Sequence, residues 1–213
     1  MHEEVGMTTT YPVHYAVEAP GRFTRVQLLI RVVAFCALGL LGLSFGVLMM
    51  FAYLALPAFA ASRLATRNGQ AGAYLAEDGP RVIAALRWVA AIGAWTGLIA
   101  EHLPEKSPEE TVRVDIAAAA NPTPSSALWR VFTGLPSAIV LALLCWLGMF
   151  VWLWAALSIL ISERIGSGAF HYLVGLQRWS IRLLAYQASL VDEYPPFSFT
   201  DVTPALPTAR AAT

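Results

Sequence analysis

Gln177-Arg178-Trp179, Tyr186 and Asp192-Glu193-Tyr194-Pro195 follow one another at the same spacing as Leu86-Arg87-Trp88, Trp95 and Glu101-His102-Leu103-Pro104. Upstream, Val13, Val17, Thr24 and Arg31 stand in one constant register with Val112, Ile116, Thr123 and Arg130. Self-similarity at a fixed offset marks a duplicated structural unit and takes precedence over local propensity in fixing architecture. The unit reads as a short extended segment, a long apolar helix and a shorter polar-edged helix. One copy covers 11–104 and the other 105–195, between tails at 1–10 and 196–213.

Composition places these units in or at a bilayer. Apolar residues make up 57% of the chain and charged residues 13%, against about 25% charged in soluble domains. No charge occurs from Val32 to Ala61 or from Val131 to Ile161. A spanning helix needs about 20 such residues, so one long helix is expected in each stretch, over about 28–61 and 127–162. The acidic start Met1-His2-Glu3-Glu4 lacks the basic n-region of a signal peptide, which makes the first long helix an expected uncleaved anchor. Net formal charge is zero and no basic run is present, which argues against nucleic acid.

The polar-edged helices, about 81–103 and 169–191, decide the topology. Trp88 to Ala100 is apolar, with Arg87 near enough to its end to snorkel. The second copy carries Gln177, Arg178, Arg182 and Gln187, which are costly facing lipid and read as an interfacial face. Tyr11 to Glu18 and Thr111 to Ile116 alternate in the period of two of a half-buried strand. Two crossings per unit would bring both strands to one face, where they can pair; one crossing per unit would keep them apart. The expected fold is therefore an all-α membrane protein, a four-helix bundle of two tandem strand-helix-helix repeats with a small two-stranded extramembrane sheet. Gly42 and Gly46, and Gly93 and Gly97, have the four-residue spacing that lets helix backbones approach closely.

No catalytic constellation stands out. His14, His102 and His171 are scattered, Cys36 and Cys145 fall at non-equivalent places in the long helices, and no pair has metal-ligand spacing. The glycines at 69, 72 and 79 do not follow a phosphate-binding pattern. The strongest polar cluster is Arg178, Arg182 and Tyr186, one stripe at successive spacings of four, with Asp192 and Glu193 just beyond. Two like charges on one stripe call for an anion, and lipid phosphates are one supply. The blander expectation is closure by ion pairs, with Arg87 or Arg178 of one unit meeting Glu101 or Asp192 of the other. Trp88 and Trp179 complete the set of repeat equivalents.

The segment Gly175-Leu176-Gln177-Arg178-Trp179-Ser180-Ile181-Arg182, then Ala185-Tyr186 and Asp192-Glu193-Tyr194-Pro195-Pro196-Phe197-Ser198, resembles bacterial membrane proteins of the domain-of-unknown-function family numbered 4389. The resemblance extends to the Tyr11-Pro12 strand and to the arginine before each long helix, and implies a duplicated membrane fold without implying an activity. Two departures stand out: Pro136-Ser137 replaces a common Pro-His, and the usual basic turn after the second long helix is reduced to Ser162-Glu163-Arg164.

The function expected from these readings is a non-enzymatic integral membrane scaffold or accessory subunit; the alternative is a small transporter or lipid-handling protein with a site at the repeat interface. No cofactor is expected. The expected partners are the lipid bilayer and either another membrane protein or a second copy. The expected location is the bacterial inner membrane, multi-pass, with cytoplasmic termini.

Overall fold

The computed structural model describes residues 11–41 and 45–200. Among them are seven α-helices and two strands: β1 (Val13–Ala16), α1 (Arg25–Leu40), α2 (Phe45–Thr66), α3 (Ala71–Glu77), α4 (Gly79–Thr96), β2 (Arg113–Ile116), α5 (Pro124–Thr133), α6 (Leu135–Ser162) and α7 (Ser167–Gln187). A short 3-10 helix, Pro108–Glu110, precedes β2. The fold is mostly helical with one small sheet.

The expected strand pair forms. β1 and β2 are antiparallel, with Val13 opposite Ile116 and Tyr15 opposite Val114. Tyr15 and Val114 are also equivalents in the register that relates the two halves. The inward side chains Val13, Tyr15 and Val114 are buried, while Ala16, Arg113 and Asp115 face out.

Each long apolar stretch is described as two helices. The stretch expected over 28–61 is α1 and α2, with residues 42–44 between them; Gly42, named above for its spacing, lies outside the described residues. The stretch expected over 127–162 is α5 and α6, joined at Gly134, whose N–H still reaches Arg130 O and whose carbonyl still accepts from Ala138. Pro136 lacks the N–H that a helix interior needs, which accounts for the break between α5 and α6. Both stretches start with threonine caps: Thr24 accepts from Gln27 N–H and Thr123 from Ser126 N–H. A capping hydroxyl satisfies one of the helix's orphan donors.

α4 and α7 end earlier than expected, at Thr96 and Gln187, and for the same reason. Leu98 and Ser189 adopt positive φ, +58° and +56°. The next residues, Ile99 and Leu190, bond back to Ala94 O and Ala185 O, and Leu98 and Ser189 to Trp95 O and Tyr186 O. This is the Schellman arrangement, which satisfies helix-end carbonyls.

α7 is the centre of the molecule. It packs along α6 and also meets α4, α2, α5 and β1, and nearly every residue from Phe170 to Gln187 is buried or half-buried. Gly148 of α6 admits Leu176, whose side chain stands 2.7 Å from where a Cβ would sit. Gly93 of α4 is filled in the same way by the side-chain amide of Gln177 of α7. Of the two spaced glycines in this segment, Gly93 therefore admits a side chain of α7, while Gly97 faces Ile99 of its own segment.

The long helices run in opposite directions. Phe23 N–H bonds Glu163 O at 2.8 Å, and Arg25 reaches Ile161 O at 3.5 Å, so the start of α1 lies at the end of α6. At the other end, the Cβ position of Gly69, just after α2, lies 3.9 Å from Pro124 at the start of α5. Between them Phe35 meets Trp152 edge to face, and Tyr53 donates to Val131 O at 2.6 Å. The strands accordingly sit beside the middle of the helices and not beyond one end: Arg178, in the middle of α7, reaches Tyr15 O, and Arg87 of α4 reaches Val114 O.

Two helices, Gly46–Thr66 and Leu135–Ser162, are long and apolar enough to cross a membrane.

Candidate functional site

The polar side chains with the most elaborate surroundings are Arg31 and Arg130, the arginines that precede the two charge-free stretches. Sequence reading placed them in register but did not rank them as a site. Arg31 is 1% exposed and Arg130 6%. Burying a cation is costly unless it is well bonded, so each position demands a dedicated set of acceptors.

Arg31 gives Nη2 to Ala100 O at 2.5 Å and to Glu101 O at 2.7 Å, and its guanidinium lies over the Trp95 and Phe23 rings, 5.3 and 5.7 Å from their centroids. Glu101 turns its carboxylate toward the start of α1: Oε1 accepts from both Thr24 N–H and Thr24 Oγ1, each at 2.9 Å. The whole cluster fastens the beginning of α1 to the chain leaving α4.

Arg130 does the equivalent job in the other half. Its Nη1 donates to Tyr186 O at 2.8 Å and to Val191 O, its Nη2 pairs with Asp192 Oδ1, and its guanidinium lies 4.6 Å from the Tyr186 ring centroid. Asp192 Oδ2 accepts from Asn121 N–H at 2.7 Å. Tyr186 OH meets Thr133 Oγ1 at 2.8 Å. Trp95 and Tyr186, Ala100 and Val191, Glu101 and Asp192 are equivalent pairs in the spacing that aligns Arg87-Trp88 with Arg178-Trp179.

The residues singled out from sequence fall around these two corners. Tyr186 and Asp192 belong to the Arg130 corner, and Glu101 to the Arg31 corner. Glu193 is exposed, and its carbonyl accepts from Tyr11 OH at 3.3 Å. Arg178 and Arg182 point into the protein. Arg178 donates to Tyr15 O and to Phe199 O. Arg182, 1% exposed, donates to Ser198 O and Thr200 O and lies over the Tyr11 ring. Together they fasten β1 and the C-terminal return to α7. The expected ion-pair closure does not form: Arg87 pairs with Glu109 at 3.5 Å and bonds Val114 O, and neither Arg87 nor Arg178 meets Glu101 or Asp192. The spacing that aligned the units carried no information about which arginine each acid would meet. Trp179 is buried with Nε1 on Ser137 Oγ at 2.7 Å, and Trp88 is half-buried. Ser137 thus fills, in this chain, the position where the resemblance anticipates histidine.

A third polar knot joins α2 to the α3–α4 junction. Asp78, with its side chain 2% exposed, accepts from Arg63 at 2.9 and 3.1 Å and from Arg67 at 3.0 Å. The Arg63 hydrogen bonds, helped by Arg67, hold its carboxyl below the usual carboxylate range. Burial pushes Tyr74, which donates to Ala188 O at 2.6 Å, up to about 12, and raises Tyr11 and Tyr15 as well. These tyrosines are neutral throughout the physiological range, and Tyr74 and Tyr11 act as donors. Among the described residues no group of three or more His, Cys, Asp or Glu side chains is placed to hold a metal ion.

Residues 124–198 match the family model described as a domain of unknown function (DUF4389). No curated protein and no solved structure matches the chain. The DUF4389 match begins at Pro124, the first residue of α5, and closes at Ser198, whose carbonyl Arg182 holds. It therefore contains Arg130, Thr133, Tyr186 and Asp192 of the second corner, together with α6 and α7, while Asn121 lies just before it.

Proposed function

We propose that the chain is a membrane-embedded, non-enzymatic scaffold or accessory subunit built from two diverged copies of one DUF4389-like unit, the second of which carries the family match. The duplication is supported by paired detail: the Thr24 and Thr123 caps, the Arg31 and Arg130 corners, the Arg87 and Arg178 bonds to the opposite strand, and the αL residues Leu98 and Ser189. Four helical columns result, α1–α2, α4, α5–α6 and α7.

One observation carries the functional reading. The buried arginines hydrogen-bond main-chain carbonyls of this same chain, while large apolar side chains of α1, α2, α5 and α6 stand exposed. The polar chemistry is thus absorbed in holding the fold, and the open surface suits lipid or another membrane protein. Native mass spectrometry of the full chain from a gentle detergent tests the scaffold reading. A defined homo-oligomer or a stoichiometric protein partner is expected; a strictly monomeric protein with no partner would overturn it.

A further inference from the structure

We propose that the molecule lies flat in one leaflet, with its long helices in the membrane plane and its two-stranded sheet facing water, so that α6 does not cross the bilayer. The proposal rests on the membrane-embedding reading above and specifies the geometry of that contact. The occupant of the apolar face is the hydrocarbon of the near leaflet.

The first observation is length. α6 has 28 residues, which at 1.5 Å each is about 42 Å, while a bilayer's hydrocarbon core is about 30 Å thick. The second is decisive. Gly148, the midpoint of α6, faces Leu176 of α7, and two residues further along α7 Arg178 reaches Tyr15 O of β1 at 3.2 Å. The strand pair is therefore level with the middle of α6. Were α6 upright at mid-bilayer, the exposed Arg113 and Asp115 of β2 and the outer edges of both strands would stand at midplane depth. Open sheet edges do not occur against hydrocarbon, because their N–H and C=O groups find no partner there.

Laid flat, the molecule meets no such cost. All but four of the large apolar side chains exposed among the described residues lie on α1 and its cap Leu41, α2, α5 and α6; the exceptions are Ile92, Leu103, Tyr194 and Phe197. α1 packs on α6 and α2 on α5, so these helices are neighbours. A helix is about 10 Å across, which fits within half of the 30 Å core. The exposed charges lie where a flat pose leaves them wet: Arg22 and Arg25 near Glu163 at one end of the long helices, Arg63 and Glu77 at the other.

Single-cysteine labelling of the full chain in right-side-out and inverted membrane vesicles tests this, in a Cys36→Ala, Cys145→Ala background. Ser125→Cys marks the start of α5, Ser162→Cys the end of α6 with Ser167→Cys as a second reporter there, and Asp115→Cys the sheet; all four positions are exposed. A membrane-impermeant maleimide should label all four from one vesicle orientation and none from the other. Labelling of the Ser125 and Ser162 or Ser167 sites from opposite faces would overturn the flat pose while leaving membrane embedding intact. A nitroxide on Cys145 alone should report a depth within the near leaflet; a depth past the midplane would also overturn it. Release of the protein by alkaline carbonate would instead overturn the embedding reading itself.

Discussion

The Arg31 and Arg130 corners solve one problem with the same parts divided differently. In the second half a single aspartate does two jobs: one oxygen of Asp192 pairs with Arg130 and the other accepts from Asn121 N–H. In the first half the longer Glu101 sends Oε1 past the arginine to the start of α1, and Arg31 is left with backbone carbonyls and two aromatic faces. Arg31 Nε and Nη1, Trp95 Nε1 and Glu101 Oε2 are buried without a hydrogen-bond partner among the described residues. Tyr186, by contrast, finds Thr133, where the first half has Ala34. One added methylene and one lost hydroxyl thus turn a closed network into an open one. The better-satisfied corner is the one inside the family match.

That difference sets the largest expected effect. Arg130→Met strands two buried carbonyls and breaks an ion pair, and should cost about 3 kcal/mol of stability. Arg31→Met strands two carbonyls as well, but it breaks no ion pair and relieves the burial of a cation that no carboxylate bonds, so its loss should be smaller, about 1 kcal/mol. Thermal unfolding of both variants in one detergent, followed by circular dichroism, measures the gap. Equal losses would mean that the two corners are energetically equivalent despite their different bonding.

The knot at Asp78 has no equivalent acid in the second half, where Ala169 stands at that spacing. It sharpens the comparison by isolating a contact private to the first. Asp78→Asn should cost about 2 kcal/mol, the worth of charge-assisted hydrogen bonds. The sign with pH follows from the lowered carboxyl. Its stabilisation is complete above about pH 4, the range of an unfolded carboxylate, and is lost as pH falls through the lower folded value. Unfolding midpoints from pH 6 down to pH 2 should therefore fall in the parent by more than in Asp78→Asn. Parallel curves would remove Asp78 from the acid limb.

The smallest effect separates the two threonine caps. Thr123→Ala removes a cap hydroxyl, at about 1 kcal/mol. Thr24→Ala removes a cap hydroxyl and also a donor to Glu101, and should exceed it by about 1 kcal/mol. Chemical denaturation of the pair is precise enough to rank them, and the reverse order would show that Glu101 gains nothing from the hydroxyl.

Much of the local design was legible because it is written in spacing. The strand pair, the two apolar helical stretches and the equivalence of Arg87 with Arg178 all follow from residues counted along the chain. The bonding of the arginines was not legible. Arg178 and Arg182 form a stripe on one helix face, yet a stripe does not reveal whether it meets headgroups or the carbonyls of a returning C-terminus. The Arg31 and Arg130 corners left only a weak signal, a single arginine seven residues after a capping threonine in each half.

By itself, then, the sequence determined the helical and extended parts and their caps, because these depend on hydrogen bonds and apolar periodicity within a few residues. Only the tertiary structure decided that the long helices run antiparallel with the strands at their middle. Direction and depth are set by contacts between residues more than a hundred positions apart, Phe23 with Glu163 and Tyr15 with Arg178, and no local pattern encodes which distant carbonyl a donor will find.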